Sequence, residues 1–157
     1  MQDADVDSLR TVADYQFGAG AGDALFPPEE RFDVQRSTTG RPQQVAREDG
    51  ERLVSVGLHG RFTLGVAGGR RLVDGLGHPA ARVVVGDDSE PFVRDGKNVF
   101  AKFVQTVDPD VRAGDEVAVV HERGELLAVG RAELDAGSML DFDTGMAVMV
   151  RTGVPAE

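Results

Sequence analysis

The chain has 157 residues, 41% of them hydrophobic, which suits one medium domain or two small ones of roughly 75 residues each. It contains no Cys, which excludes disulfides and thiolate metal sites, and no apolar run near the about 18 residues that cross a bilayer, so no membrane partner is expected. Twenty-seven acidic residues against 17 basic ones give a net charge of −10, which argues against broad electrostatic attraction to nucleic acid.

The opening stretch MQDADVDSLR is acidic and polar, which predicts no signal peptide and a cytoplasmic location. Asp7-Ser8 can cap a helix over Leu9 to Phe17, with Leu9, Val12 and Ala13 on one face. The Gly-rich tract Gly18 to Gly22 stops it, and Pro27-Pro28 starts an extended segment. Phe32 to Arg36 and Gln43 to Arg47, joined by Ser37-Thr38-Thr39-Gly40, predict a hairpin. Asp49-Gly50 turns into a strand over Arg52 to Leu58, and Phe62 to Val66 gives a fourth. Gly68 to Val73 fits a short helix or a loop. Gly and Pro cluster at Gly75-Leu76-Gly77-His78-Pro79, which places a boundary there: residues 1–76 as a small α+β domain and residues 79–154 as a second one.

In the second half, Arg82 to Val85 is a short buried strand. Ser89 can cap a short helix over Glu90 to Arg94, with Pro91 in its first turn and Gly96 near its end. Extended structure is expected over Val99 to Val104, Glu116 to Val120, Leu126 to Ala132 and Met146 to Arg151, with a helical or irregular piece near Ser138 to Phe142. Short strands, Gly-containing turns and one or two small helices predict a closed or nearly closed barrel.

Charge is unevenly spread. Residues 31–71 hold eight Arg against Asp33, Glu48, Asp49 and Glu51, a local +4, and residues 91–105 hold Arg94, Lys97 and Lys102 against Asp95, a local +2. These two islands are candidate contact surfaces in an acidic chain. Lys97 and Lys102 are the only lysines, and their closeness in a chain that otherwise uses Arg points to a local requirement. The excess of acids and the scarcity of Lys suit a halophile's salt-rich cytoplasm. The plainer alternative is an acidic protein from a GC-rich genome in which Arg replaces Lys.

Residues 82–151 resemble the PUA domain of RNA-modifying enzymes and free-standing RNA-binding proteins. The resemblance rests on parts in order: the strand before Asp87-Asp88, the helix into Gly96-Lys97, Val99-Phe100-Ala101-Lys102, Gly114-Asp115-Glu116-Val117, Ala128 to Ala132, and Gly145 to Val148. The tract Phe92 to Val104 is most similar to the PUA domain that ends archaeal tRNA-guanine transglycosylases, the archaeosine enzymes. The first half resembles, more loosely, the accessory region preceding that domain, through Ala13 to Gly18, Leu25-Phe26, Arg36 to Arg41 and Gly60 to Leu64. The resemblance implies an α+β chain: a small α+β N-terminal domain followed by a PUA-type β pseudobarrel. It implies an RNA surface that includes Ser89, Arg94, Lys97, Asn98, Phe100, Lys102 and Arg131. Lys and Arg can meet phosphates, Asn can meet base edges or 2′-hydroxyls, and an aromatic can stack. In molar salt the Debye length shrinks to about 3 Å, so such binding rests on close contacts rather than a broad field.

Each residue also has a plainer role. Phe92, Val99 and Phe103 are expected in the core, and Phe100 fits core or stacking equally. Arg112 and Arg123 are expected as solvated charges, and Asp87-Asp88 as turn acids. Arg36, Arg41 and Arg47 either reach RNA or are simply exposed. The Gly18 to Gly22 tract follows a helix and lacks a Lys-Ser/Thr partner, so no phosphate loop is expected.

Catalytic chemistry is missing from the residues. The transglycosylase barrel needs roughly 250 residues, and its zinc site needs Cys. His59, His78 and His121 lack ligand spacing, and no Gly-x-Ser-x-Gly occurs. The sequence therefore predicts a non-catalytic protein with no cofactor and no metal, binding tRNA near its acceptor stem and 3′ end. Two alternatives stand beside it: a subunit of a split tRNA-modifying enzyme with a separate catalytic chain, or a protein-interaction module without RNA binding.

Overall fold

The computed structural model describes the backbone of residues 2–156 and the side chains of residues 5–156. It separates into two compact units, Met1–Leu76 and Gly77–Glu157. The architecture is α+β, with one sheet in each unit.

The first unit runs α1 (Gln2–Phe17), α2 (Ala21–Leu25), β1 (Phe32–Arg36), β2 (Pro42–Arg47), β3 (Arg52–Val56), β4 (Phe62–Leu64) and α3 (Val66–Gly75). Its strands form an antiparallel meander in chain order. One turn design makes all three hairpins. In residues 37–41, 47–51 and 57–61 the fourth residue is a Gly at positive φ (Gly40, Gly50, Gly60), whose N–H donates to the first residue's carbonyl. That is a type I turn closed by a left-handed residue, a conformation glycine adopts without strain.

α1 starts at Gln2, so Asp7-Ser8 lies inside the helix and is not its cap. Asp7 instead pairs with Arg10 at 2.6 Å, and the acids early in the helix suit the positive end of its dipole. The Gly tract ends α1 at Gly18 but also holds α2, which the sequence reading treated only as a stop. Asp14 Oδ1 accepts the Gly22 N–H at 2.7 Å, and Gly22 lies against the Arg10 backbone where a Cβ has no room. Gln16 fastens α1 to the sheet by donating to the Phe62 carbonyl and accepting its N–H, both at 2.8 Å, as a neighbouring strand would. Residues 66–75 resolve as helix rather than loop, so β4 stops at Leu64. Gly68 of α3 sits on the Leu53 carbonyl. Leu9, Ala13, Leu25, Leu53, Leu64 and Leu72 fill the core around Phe26, which meets Phe32 and Phe62 edge-on at 5.5 and 6.1 Å.

The second unit runs β5 (Arg82–Val85), α4 (Glu90–Arg94), β6 (Val99–Phe100), β7 (Thr106–Val107), β8 (Glu116–His121), β9 (Leu126–Ala132), α5 (Ala136–Asp141) and β10 (Met146–Gly153). The sheet order is β6-β10-β9-β8-β5-β7, with β5 and β8 parallel and the other pairs antiparallel, curled into a half-barrel. Its core is nearly all Val and Ala, with Leu127 and Met139. The 121–125 turn between β8 and β9 repeats the hairpin design, with Gly124 at positive φ. The expected strand over Val99 to Val104 is shorter than read. After Phe100 the chain makes one 3₁₀ turn over Ala101–Phe103, closed by the Val104 N–H on the Ala101 carbonyl, with Val99 and Ala101 both buried. β7, two residues long, was not expected.

Candidate nucleic-acid interface

α4 has five residues, which is too short for a helix to persist on backbone bonds alone. Ser89 occupies its cap position but makes no side-chain cap bond, which corrects the expected role; it is buried instead. The helix ends in a Schellman motif: the Gly96 N–H donates to Val93 and the Lys97 N–H to Phe92, with Gly96 left-handed. That closure fixes Lys97 one helical turn beyond Phe92. With Val93 buried, its neighbour Phe92 is turned outward and is 61% exposed.

Phe92 is therefore not core, and neither is Phe103, which is 37% exposed; Val99 is buried as expected. Phe100, the residue with two readings, is half exposed. The three phenylalanines line a cleft of about 320 Å³ with Asp88, Ser89, Lys97 and Asn98. A second cleft of about 290 Å³, lined by Gly86 to Ser89 and Lys102 to Gln105, is more polar and shares Asp88, Ser89 and Phe103 with the first. The ammonium of Lys102 lies 5.1 Å from the Phe103 ring centroid, within cation–π range. Among the described residues neither lysine has an ion-pair partner, whereas most arginines do.

The other expected contact residues fare differently. Arg94 is spent inside the protein: its side chain is 12% exposed and donates to Glu90 at 3.0 Å, to the Val154 carbonyl at 3.1 Å and to Glu125 at 3.3 Å. Asn98 lines the aromatic cleft, but its Oδ1 accepts the Val150 N–H at 2.9 Å and so ties β10 to the loop. Arg131 on β9 pairs with Glu133 at 2.9 Å and lines neither cleft. The first unit's arginines are similarly engaged. Arg36 pairs with Asp5 and bonds Gly40, Arg41 donates to Gly57, and Arg47 pairs with Asp49 and Glu51.

The residues that sequence reasoning missed are Phe92, Phe103 and Gln105. A signal for the first was present, since only one of the adjacent Phe92 and Val93 can face inward from so short a helix.

Behind α4 lies a charged cluster that the sequence had assigned to turns and solvent. Arg123 donates to both oxygens of Glu90 at 3.1 Å, to Glu125 at 2.6 Å and to Asp87 at 3.4 Å, so it is not a free surface charge. Hydrogen bonds from Arg94, and then from Arg123, hold the Glu90 carboxyl below its ordinary value; Glu125, then Glu90, push Arg123 further up. His121 is 1% exposed. Its Nδ1 accepts the Arg123 backbone N–H at 3.0 Å, which leaves Nε2 as the protonated nitrogen donating to Asp87 at 2.7 Å. Asp87, Glu90 and His121 have the spacing of a cation site, with ligand atoms within 4.8 Å of one another. Arg123 already donates to both carboxylates and supplies the positive charge there.

Comparison with known families covers almost the whole chain. Residues 7–79 match the patch-forming domain C2 of tRNA-guanine transglycosylase, and residues 81–154 match the PUA domain. The chain is 46% identical over 147 residues to the tRNA-guanine(15) transglycosylase of Pyrococcus furiosus and 44% identical over 149 residues to that of Methanothermobacter thermautotrophicus. These alignments cover 93% and 95% of this chain but 24% and 23% of the enzymes, so the chain spans about a quarter of the curated relatives it matches. Among solved structures, a hypothetical protein of Pyrococcus horikoshii, PH0734.1, shares the fold with a TM-score of 0.71 at 22% identity, covering 98% of this chain and 92% of that one. A conserved PUA domain protein from Thermoplasma acidophilum does so with a TM-score of 0.66 at 20% identity, covering 100% and 93%. Through these two domains in tandem the chain is similar to the C-terminal region of archaeal tRNA-guanine(15) transglycosylase.

Proposed function

We propose that this tandem of a patch-forming C2 domain and a PUA domain binds RNA in tRNA modification, through the α4–β6 face of its second unit, and performs no chemistry itself. The observation that carries this reading is the pairing of the only two lysines, neither ion-paired among the described residues, with three outward phenylalanines across two adjoining clefts. Single exposed aromatics are ordinary, but three of them grouped along a cleft beside two cations mark an interaction surface. A flat base stacked on Phe92, Phe100 or Phe103 would contribute about 1–3 kcal/mol, and Lys97 and Lys102 would meet the flanking phosphates.

The face suits unpaired nucleotides, because aromatic rings can reach only bases that have left a helix. The 3′ end of tRNA, next to its acceptor stem, is the substrate proposed. Titration with tRNA carrying or lacking its terminal CCA, in about 2 M KCl, tests it. Binding that requires the CCA end supports the reading. Equal binding of both moves the contact elsewhere on tRNA. No binding at any salt that keeps the protein folded leaves a protein-interaction module.

A second reading follows from the alignment lengths: the regions of the enzymes that this chain does not match would supply catalysis, making this a delivery part of a modifying enzyme. Co-purification with a larger catalytic chain is the test.

A further inference from the structure

The cleft wall formed by α4 is a weak element doing an exacting task. It is one and a half turns long, its cap side chain is not used, and yet it must hold Phe92 and Lys97 in register with Phe100 and Phe103 across the cleft. Its own buried contribution is Val93. Something outside the helix has to fix it.

The 121–125 hairpin turn does so. Arg123 grips both oxygens of Glu90, the first residue of α4, and also reaches Asp87 in the loop that precedes it. His121, buried at the end of β8, donates to that same Asp87. Arg94 returns from the end of α4 to Glu125 in the same turn. The helix is thus tied at both ends to one hairpin, by residues that line neither cleft, apart from Asp87.

We propose that Arg123 and His121 are positioning residues for the RNA cleft: acting through Glu90 and Asp87, they hold α4 in the geometry that binds, without touching the ligand. This rests on the RNA-binding reading for its functional consequence, but not for its structural one.

The alternative role for an exposed arginine is direct phosphate contact, and the two roles differ in sign. Glu90→Gln removes a negative charge beside a polyanion site, so simple electrostatics strengthens RNA binding, whereas loss of positioning weakens it. The expected result is weaker binding, about tenfold, for Glu90→Gln and for Arg123→Gln alike, the order seen when outer supports of a site are removed. The double variant should lose little more than either single one. The salt dependence of binding should keep its slope in Arg123→Gln, whereas a lost phosphate contact lowers it by about 0.7 for a single strand. His121→Gln, tested in parallel, keeps a donor for Asp87 but not the ring's fixed geometry, and is expected to fall between wild type and Arg123→Gln.

Hydrogen exchange at the amides of Val93, Gly96 and Lys97 decides the structural part without any RNA. Faster exchange there in Arg123→Gln, beyond what a slightly lowered melting temperature accounts for, is the expected result. Tighter RNA binding by Glu90→Gln, a reduced salt slope in Arg123→Gln, or unchanged α4 exchange would each overturn the proposal. Should wild-type protein bind no RNA, the functional reading fails, and the exchange result alone still decides whether Arg123 positions α4.

Discussion

The two units carry positive charge in different ways. In the first, Arg36, Arg41, Arg47 and Arg71 bond to nearby carboxylates and carbonyls, so the local +4 is largely used within the unit. In the second, the smaller +2 is the more available, because among the described residues Lys97 and Lys102 have no ion-pair partner while Arg94 is locked. A count of charges along the chain ranks the islands one way and the pairing of each charge ranks them the other. What a ligand meets is unpaired charge at a shaped surface, not the sum of a segment.

The first way to break that comparison is to change the salt. With 27 acids against 17 basic residues, self-repulsion should unfold the protein well below molar KCl, and a melting temperature indifferent to KCl would defeat the inference of salt adaptation. Next in size, Lys97→Glu combined with Lys102→Glu should lower RNA affinity by about a hundredfold while leaving thermal stability nearly unchanged, as neither lysine is ion-paired among the described residues. The matching change in the first unit, Arg47→Glu, should alter affinity little; an equal loss would mean the two units share the work.

A steric test sharpens the contrast from the side of stability. Gly68→Ala pushes a methyl into the Leu53 carbonyl and should cost about 1–3 kcal/mol, read as an earlier melt with α4-face affinity intact. Phe100→Ala should do the reverse, weakening RNA binding by about 1–3 kcal/mol at little cost in stability, since the ring is half exposed. The smallest effect is at acid pH. Glu90 and Asp135 are both held below their ordinary values, Glu90 by Arg94 and then Arg123, and Asp135 by the Ser138 backbone and then its side chain. Their stabilisation is fully present above the unfolded values and is lost as pH falls through the lower folded ones. Stability should therefore be flat near neutrality and decline below about pH 4, with Glu90→Gln removing part of that decline.

Much of the fold was legible in the residues. Three hairpins in the first unit follow from Gly at the fourth turn position, and Gly96 after a five-residue helix marks its end, because only glycine takes positive φ without strain. Periodicity failed where elements were shorter than its window: α2 and β7 were missed, and the 3₁₀ turn at Ala101–Phe103 read as strand. For the site, the two lysines stood out by rarity alone. Of the phenylalanines only Phe100 was named, since the adjacent pair Phe92 and Val93 shows that one of them must face outward but not which.

The sequence by itself determined the family resemblance, most of the α+β elements and the segment that carries the candidate site, because those depend on local residue type, spacing and order. Only the tertiary structure decided which charges are free. Arg94 and Lys97 stand three residues apart and looked equivalent, but Arg94 meets Glu90, Glu125 and the Val154 carbonyl, and Lys97 meets none of them. Glu125 and Val154 lie 31 and 60 residues from Arg94 in sequence, and a partner that distant is brought near only by the curled sheet.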